Sequence, residues 1–265
     1  MSTSWSTVQD FLQNCDRQTG DCFLQTRWNV LCRIASGIAG QLDCVALDQV
    51  ACGLNNIVRP LEFSDKTHWV ARVHIRRRAP SLVSRSKLVS EVATMQFIQE
   101  YSSIPVPRVF AYEFDENNSA RAAFILMELL PGSVAIDALG GYEVHRGVIP
   151  KEHRAKFYDS VAKCHVRPTH LRLPKIGTII RNREGGYECG PLPGIGGPFD
   201  TATEFFEAWA DSVKFKWDKE AITHMMQRSL IPAERMVSII ENFPSQMKAM
   251  ASRLPLCNEG PFPLS

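Results

Sequence analysis

Between Ser84 and Tyr101 one acidic residue stands where a helix would place its apolar side. Glu91 follows Leu88 by three positions and precedes Met95 by four and Ile98 by seven. A carboxylate turned inward requires a cation or hydrogen-bond donors, because an unpaired buried charge is costly. The run HWVARVHI supplies the cation. Strand alternation sets Trp69, Ala71, Val73 and Ile75 on one face and Val70, Arg72 and His74 on the other, which makes Arg72 the inward-facing partner expected for Glu91. Such a pair serves either as a structural ion pair or as an oriented cation for a bound anion, and spacing alone favours the structural role.

The elements that must hold this pair can be read on either side of it. CVALDQV, NNIVRPLEF and HWVARVHI, separated by CGLN and SDKT, predict an antiparallel meander over about residues 44–75. A helix over 84–101 follows, ended by IPVP, whose prolines cannot continue it. RVFAYEF and AAFILMEL, joined by the polar DENNSA, predict two more strands. Beyond Pro131 and Gly132 the pattern becomes helical, over about 151–167, 201–217 and 231–253, with a Gly/Pro-rich loop at 184–198. Residues 1–40 carry helical spacing (Val8, Phe11, Leu12, then Trp28, Leu31, Ile34, Ile38) and predict short helices packed outside the main domain. The expected division is 1–40, 41–130 and 131–265.

Composition narrows the function classes. Lys+Arg 30 against Asp+Glu 28 leaves a net charge of +2, too balanced for a global pull towards nucleic acid or membrane. The basic run His74, Arg76, Arg77, Arg78, Arg85 and Lys87 lacks interleaved aromatics and reads as a solvated loop. The chain lacks a secretory start and any apolar stretch near the ~18–20 residues of a membrane span, so the expected compartment is the cytosol. Eight cysteines at irregular spacing predict reduced, structural thiols. Cys164 and His165, adjacent on a predicted helix, point in different directions, with Cys164 expected in the core and His165 on the surface. The other histidines (68, 74, 145, 153, 170, 224) have no zinc-site spacing.

The wording WVARV, KLVSEVATMQFIQEYSSIPVPRVFAYEFD, FILMELLPG and GGPFDTATEFF resembles fungal-type members of the aminoglycoside phosphotransferase family, over roughly residues 48–265. The resemblance implies an α+β, protein-kinase-like fold: a five-stranded antiparallel N-lobe with one helix, then an incomplete, mainly helical C-lobe. It further implies that Gly53, with Leu54 and Asn55, forms a turn over nucleotide phosphates, and that Val70 roofs the adenine. Arg72 would stand in the place of the phosphate-contacting lysine, oriented by Glu91; arginine departs from the broad kinase pattern, yet its planar fork binds phosphate. The hinge would follow Met127, with the Glu128 carbonyl and the Leu130 amide facing the adenine edge.

Phosphoryl transfer in this fold needs a catalytic-loop aspartate, an asparagine five positions later and a second metal-binding aspartate. Neither His-x-Asp nor Asp-x-x-x-x-Asn occurs in the sequence. The tail RLPLCNEGPFPLS resembles the segment that leads into H-G-D-x-x-x-x-N, so Ser265 falls just short of it. The expectation is a chain with no catalytic residues, which can bind ATP but holds Mg²⁺ poorly and transfers no phosphate by itself. Its helices at 151–167 and 231–253 would leave apolar faces for self-association or a protein partner. It is then a pseudokinase, or the nucleotide-binding portion of an enzyme that phosphorylates a small hydroxyl-bearing metabolite with ATP and Mg²⁺. The competing class is a non-catalytic scaffold using the same fold.

Overall fold

Alternating apolar and polar residues between Cys44 and Glu128 pair into one antiparallel sheet in the computed structural model, which describes residues 5–75, 82–132, 138–166, 170–215, 218–227, 231–253 and 260–263. The strands are β1 (Cys44–Ala46), β2 (Ala51–Cys52), β3 (Asn56–Phe63), β4 (His68–His74), β5 (Val109–Glu113) and β6 (Phe124–Glu128). Their order is β1-β3-β4-β6-β5, with β2 also on β3. Both β1 and β2 lie along one edge of β3, through Ala46↔Leu61 and Ala51↔Val58, so the sheet is five strands wide and its first strand is broken.

Proline explains the break. Pro60 has no amide to give to a ladder, and Arg59 and Pro60 are the β3 residues that lie between the stretch paired by β2 and the stretch paired by β1. The Pro60 carbonyl still accepts from the Leu47 amide at 3.0 Å, and the Arg59 side chain fills the gap, its Nε donating to the Leu47 carbonyl at 2.8 Å.

Helix α1 (Val8–Asn14), α2 (Arg17–Gln25) and α3 (Trp28–Ile38) precede the sheet. Thr7 and Asp16 cap the first two by accepting from the backbone amides of Asp10 and Thr19. Their apolar residues share one core with the sheet: Phe11, Phe23, Leu31 and Ala35 bury against Ile57, Leu61, Ala71 and Val73. These helices are thus built into the sheet's core, where they had been expected outside it. Arg59 locks them down, its guanidinium 5.6 Å from the Phe23 ring centre and 5.2 Å from that of Trp28. The Ser6 and Val50 backbones bond to each other, which stitches the broken first strand to the segment before α1.

Helix α4 (Leu82–Tyr101) connects β4 to β5 and buries Leu88, Val92, Ala93 and Phe97. An antiparallel sheet with one helix inserted between its third and fourth expected strands is the arrangement the resemblance implied. Helix α5 (Tyr142–His145) and α6 (Lys151–Val166) follow. No residue of α6 is buried, and Cys164 is exposed, a correction to its expected core position.

The chain divides into two compact units, 1–168 and 169–265. The second contains β7 (Arg172–Leu173) paired with β10 (Phe262–Pro263), the hairpin of β8 (Thr178–Arg181) and β9 (Tyr187–Gly190), and helices α7 (Ala202–Ser212), α8 (Lys219–Met226) and α9 (Ala233–Ala251). The expected loop at 184–198 therefore contains a strand, and the expected helix over 201–217 stops at Ser212. Helix α7 starts on a capping box, in which Thr201 accepts from the Glu204 amide and the Glu204 carboxylate accepts from that of Thr201. Trp209 of α7 packs edge-on against Phe243 of α9, ring centres 5.5 Å apart. No helix among the described residues is long and apolar enough to cross a membrane.

Candidate functional site

Arg72 and Glu91 meet. Alternation along β4 turns Val70, Arg72 and His74 away from the core shared with α1–α3, and the apolar face of α4 carries Glu91 to the same side. Nη1 of Arg72 donates to Oε1 of Glu91. The two side chains are 22% and 34% exposed, so the pair is shielded yet reachable from solvent.

A third residue completes the arrangement. Asn56, first residue of β3 and in register with His74, lies beside the guanidinium. With its carboxamide oxygen facing Arg72, the orientation that satisfies both groups, it accepts from Nη2 at 2.8 Å and Nε at 3.2 Å, and its amide nitrogen donates to the Asn55 carbonyl at 3.2 Å. Three of the five guanidinium N–H groups are then taken, which leaves one on each terminal nitrogen without a partner among the described residues. An arginine held in this way offers a preset pair of donors to an anion.

Asn56, Arg72, His74, Leu88, Phe114 and Ile125 line a small recess beside the pair. Nδ1 of His74 is buried there with no hydrogen-bond partner among the described residues. Burial lowers the His74 pKa below its usual value of 6.5 and the Arg72 charge lowers it further, while Glu91 and Glu116 act in the opposite sense. The imidazole is therefore neutral at neutral pH and does not compete with Arg72 as a cation.

The Gly53 turn leads into Asn56. The Gly53 amide donates to the Asn56 carbonyl at 3.0 Å, and the Asn55 carbonyl accepts from the Ile75 amide at 2.8 Å, which ties the turn to the end of β4. Gly53 does not have a left-handed φ, and a Cβ placed on it would meet no atom within 4 Å. Neither backbone conformation nor packing requires glycine there, so the missing side chain leaves open space.

Of the other expected site residues, Val70 and Met127 pair across β4 and β6; Val70 is 3% exposed and Met127 half-buried. Glu128 pairs with Trp69, at the end of β4 away from the turn, and its carboxylate accepts from the Arg108 amide at 3.1 Å. Leu130 is exposed just beyond β6. The structure thus joins Arg72, Glu91 and the Gly53–Asn55 turn through Asn56, and leaves Glu128 and Leu130 outside that cluster. Asn56 and Phe114 were not among the expected residues; the one local sign of Asn56 was its place directly after the turn.

Of the basic run, Arg76, Arg77 and Arg78 lie outside the described residues, and Arg85 and Lys87 are exposed. The seven cysteines among the described residues form no disulfide with one another. Burial pushes the Cys32 and Cys44 thiols up, Cys44 to about 12, which keeps them protonated and unreactive. No group of three His, Cys, Asp or Glu side chains among the described residues is placed to hold a metal ion.

No protein-family model matches the chain. Among curated proteins it is similar to "Altered inheritance of mitochondria protein 9, mitochondrial" of Candida dubliniensis, 47% identical over 49 residues, covering 18% of this chain and 8% of that protein. The protein of the same name from Debaryomyces hansenii is 30% identical over 104 residues, covering 38% and 16%. A subtelomeric hrmA-associated cluster protein of Aspergillus fumigatus is 34% identical over 89 residues, covering 34% and 17%. The matching stretches thus span less than a fifth of those relatives' own length. Among solved structures, the Rio2 kinase–ADP/Mg²⁺–phosphoaspartate complex from Chaetomium thermophilum aligns with a TM-score of 0.37 and 14% identity, over 85% of this chain and 75% of that one.

The yeast relatives correct one expectation. Their name places them in mitochondria, which points there and away from the cytosol. Secretory starts and apolar spans do not bear on mitochondrial import, whose leaders are amphipathic, Arg-rich and poor in acidic residues.

Proposed function

We propose that this chain carries the nucleotide-binding lobe of an ATP-dependent small-molecule kinase of the aminoglycoside-phosphotransferase-like class, acting in mitochondria. The observation that carries the reading is the contact of Arg72 with Glu91 beside the open Gly53 turn. The strand order β1-β3-β4-β6-β5 with α4 between β4 and β5 supports a protein-kinase-like lobe, and the mitochondrial name of the yeast relatives supports the compartment.

The residues present fit a nucleotide. Arg72 keeps one N–H on each terminal nitrogen for phosphate oxygens, Glu91 fixes the direction of the fork, and the absent Gly53 side chain leaves room for close backbone approach. Val70 and Met127, paired across two strands, supply an apolar wall for a base. When bound, ATP supplies the transferable phosphoryl group. These residues bind and orient it; in this fold the magnesium ligands and the base for the acceptor hydroxyl belong to a separate catalytic loop.

The unburied helix α6 favours a second reading, a pseudokinase or scaffold that engages a protein partner. Helix α6, with Tyr158 and Val166 exposed, would be its docking element. Thermal unfolding with millimolar ATP separates the two, because a ligand that binds only the folded state raises the melting temperature. A rise, with or without Mg²⁺, supports the nucleotide lobe. No rise leaves the scaffold. Neither reading expects ADP release from this chain when aminoglycoside, choline-like or sugar acceptors are supplied, and turnover that vanishes on Glu91→Ala would overturn that expectation.

A further inference from the structure

We propose that Asn56 is a positioning residue that couples the Gly53–Asn55 turn to the Arg72 guanidinium, so that turn and arginine engage the phosphates of a nucleotide as one unit. This rests on the nucleotide reading above and deepens it.

Asn56 holds both parts at once. Its main-chain carbonyl accepts from the Gly53 amide at 3.0 Å, and its side-chain nitrogen donates to the Asn55 carbonyl at 3.2 Å, so the turn is closed on it from two sides. Its side-chain oxygen takes the Nε and Nη2 edge of Arg72. The remaining face of the guanidinium meets Glu91 through Nη1. A flexible arginine is thereby fixed from two directions before any ligand arrives, which lowers the ordering cost of binding.

The chemistry asks for a carboxamide. One acceptor must face the arginine and one donor must face the Asn55 carbonyl, and a short amide offers both on one planar group. Aspartate would accept from Arg72 but turn a second oxygen on the Asn55 carbonyl. Charge points the same way. Glu91 already balances Arg72, and a second carboxylate would make the cluster net negative and repel phosphate. A neutral acceptor satisfies the arginine's edge without cancelling its charge.

The test is a set of equilibrium titrations with ATP on the full chain, for the wild type, Gly53→Ala, Arg72→Ala and their combination, each with Asn56 intact and with Asn56→Ala. Asn56→Ala is expected to weaken ATP binding about tenfold, the size of one or two charge-assisted hydrogen bonds. With Asn56 in place, the double substitution should weaken binding less than the product of the two single effects. With Asn56→Ala the effects should simply multiply. A purely structural asparagine would not move that coupling. Should Asn56→Ala fail to fold, Asn56→Asp, which keeps the acceptor for Arg72, serves instead and should bind ATP more weakly than the wild type. ATP affinity unchanged by either substitution, or single effects that multiply while Asn56 is intact, overturns the proposal. A wild type that binds no ATP overturns it together with the nucleotide reading, a result distinct from failure of Asn56 alone.

Discussion

Arg72 of β4 and Glu91 of α4, 19 residues apart in sequence, meet side chain to side chain on the face of the sheet opposite the N-terminal helices. The pair is partly shielded, so its worth lies between that of an exposed and a buried ion pair. Glu91→Gln is expected to lower unfolding stability by about 1 kcal/mol in urea titration. An unchanged midpoint would mean that the pair is incidental.

Gly53 separates folding from binding. Since a Cβ there meets no atom within 4 Å and φ is not left-handed, Gly53→Ala should leave stability within about 0.5 kcal/mol of the wild type, with any gain coming from a stiffer unfolded chain. ATP binding should weaken all the same, because the added methyl occupies the phosphates' approach. Stability from urea titration and affinity from the same preparation check both halves; equal loss in each would show that the glycine serves the fold.

Arg59 holds the N-terminal helices. Arg59→Leu removes stacking on Phe23 and Trp28 and leaves the Leu47 and Ala46 carbonyls without their donor. A loss of about 2–3 kcal/mol is expected from those terms together. Limited proteolysis should then cut within α1–α3 well before the sheet. Persistence of these helices under protease would contradict their part in the core.

His74 gives the fold a pH dependence. Its folded pKa lies below the usual 6.5, first by burial and then by the Arg72 charge. The unfolded chain therefore binds more protons over the interval below 6.5, and stability rises with pH across it. The contribution is fully present above about pH 6.5 and is lost as pH falls through that value towards the folded pKa. Melting temperatures between pH 7.5 and 5.5 should fall, and His74→Gln should flatten the curve. An identical fall in that variant would assign the dependence to other groups.

Local pattern carried the fold wherever one segment decides its own structure. WVARV and the Leu88–Glu91–Met95 spacing disclosed which faces Arg72 and Glu91 occupy, and hence their meeting. What stayed illegible depends on pairing between segments. Asn56 reaches Arg72 only because β3 and β4 align Asn56 with His74, a register no local pattern reveals. The break opposite Pro60 follows from which edge of β3 the proline faces. The hairpin of β8 and β9 was hidden because four-residue strands carry too little alternation to outweigh the Gly and Pro around them. The placing of α1–α3 on the sheet depends on Phe11, Phe23, Leu31 and Ala35 burying against Ile57, Leu61, Ala71 and Val73, a pairing of distant segments that helical spacing does not assign.

The most direct test of the account is equilibrium titration of the chain with ATP, wild type against Arg72→Ala, under conditions where both are folded. Saturable binding by the wild type and a loss of about tenfold or more in the variant are expected, the worth of charge-assisted bonds to phosphate. Equal affinity in the two proteins, or no saturation of the wild type at millimolar ATP, would contradict it.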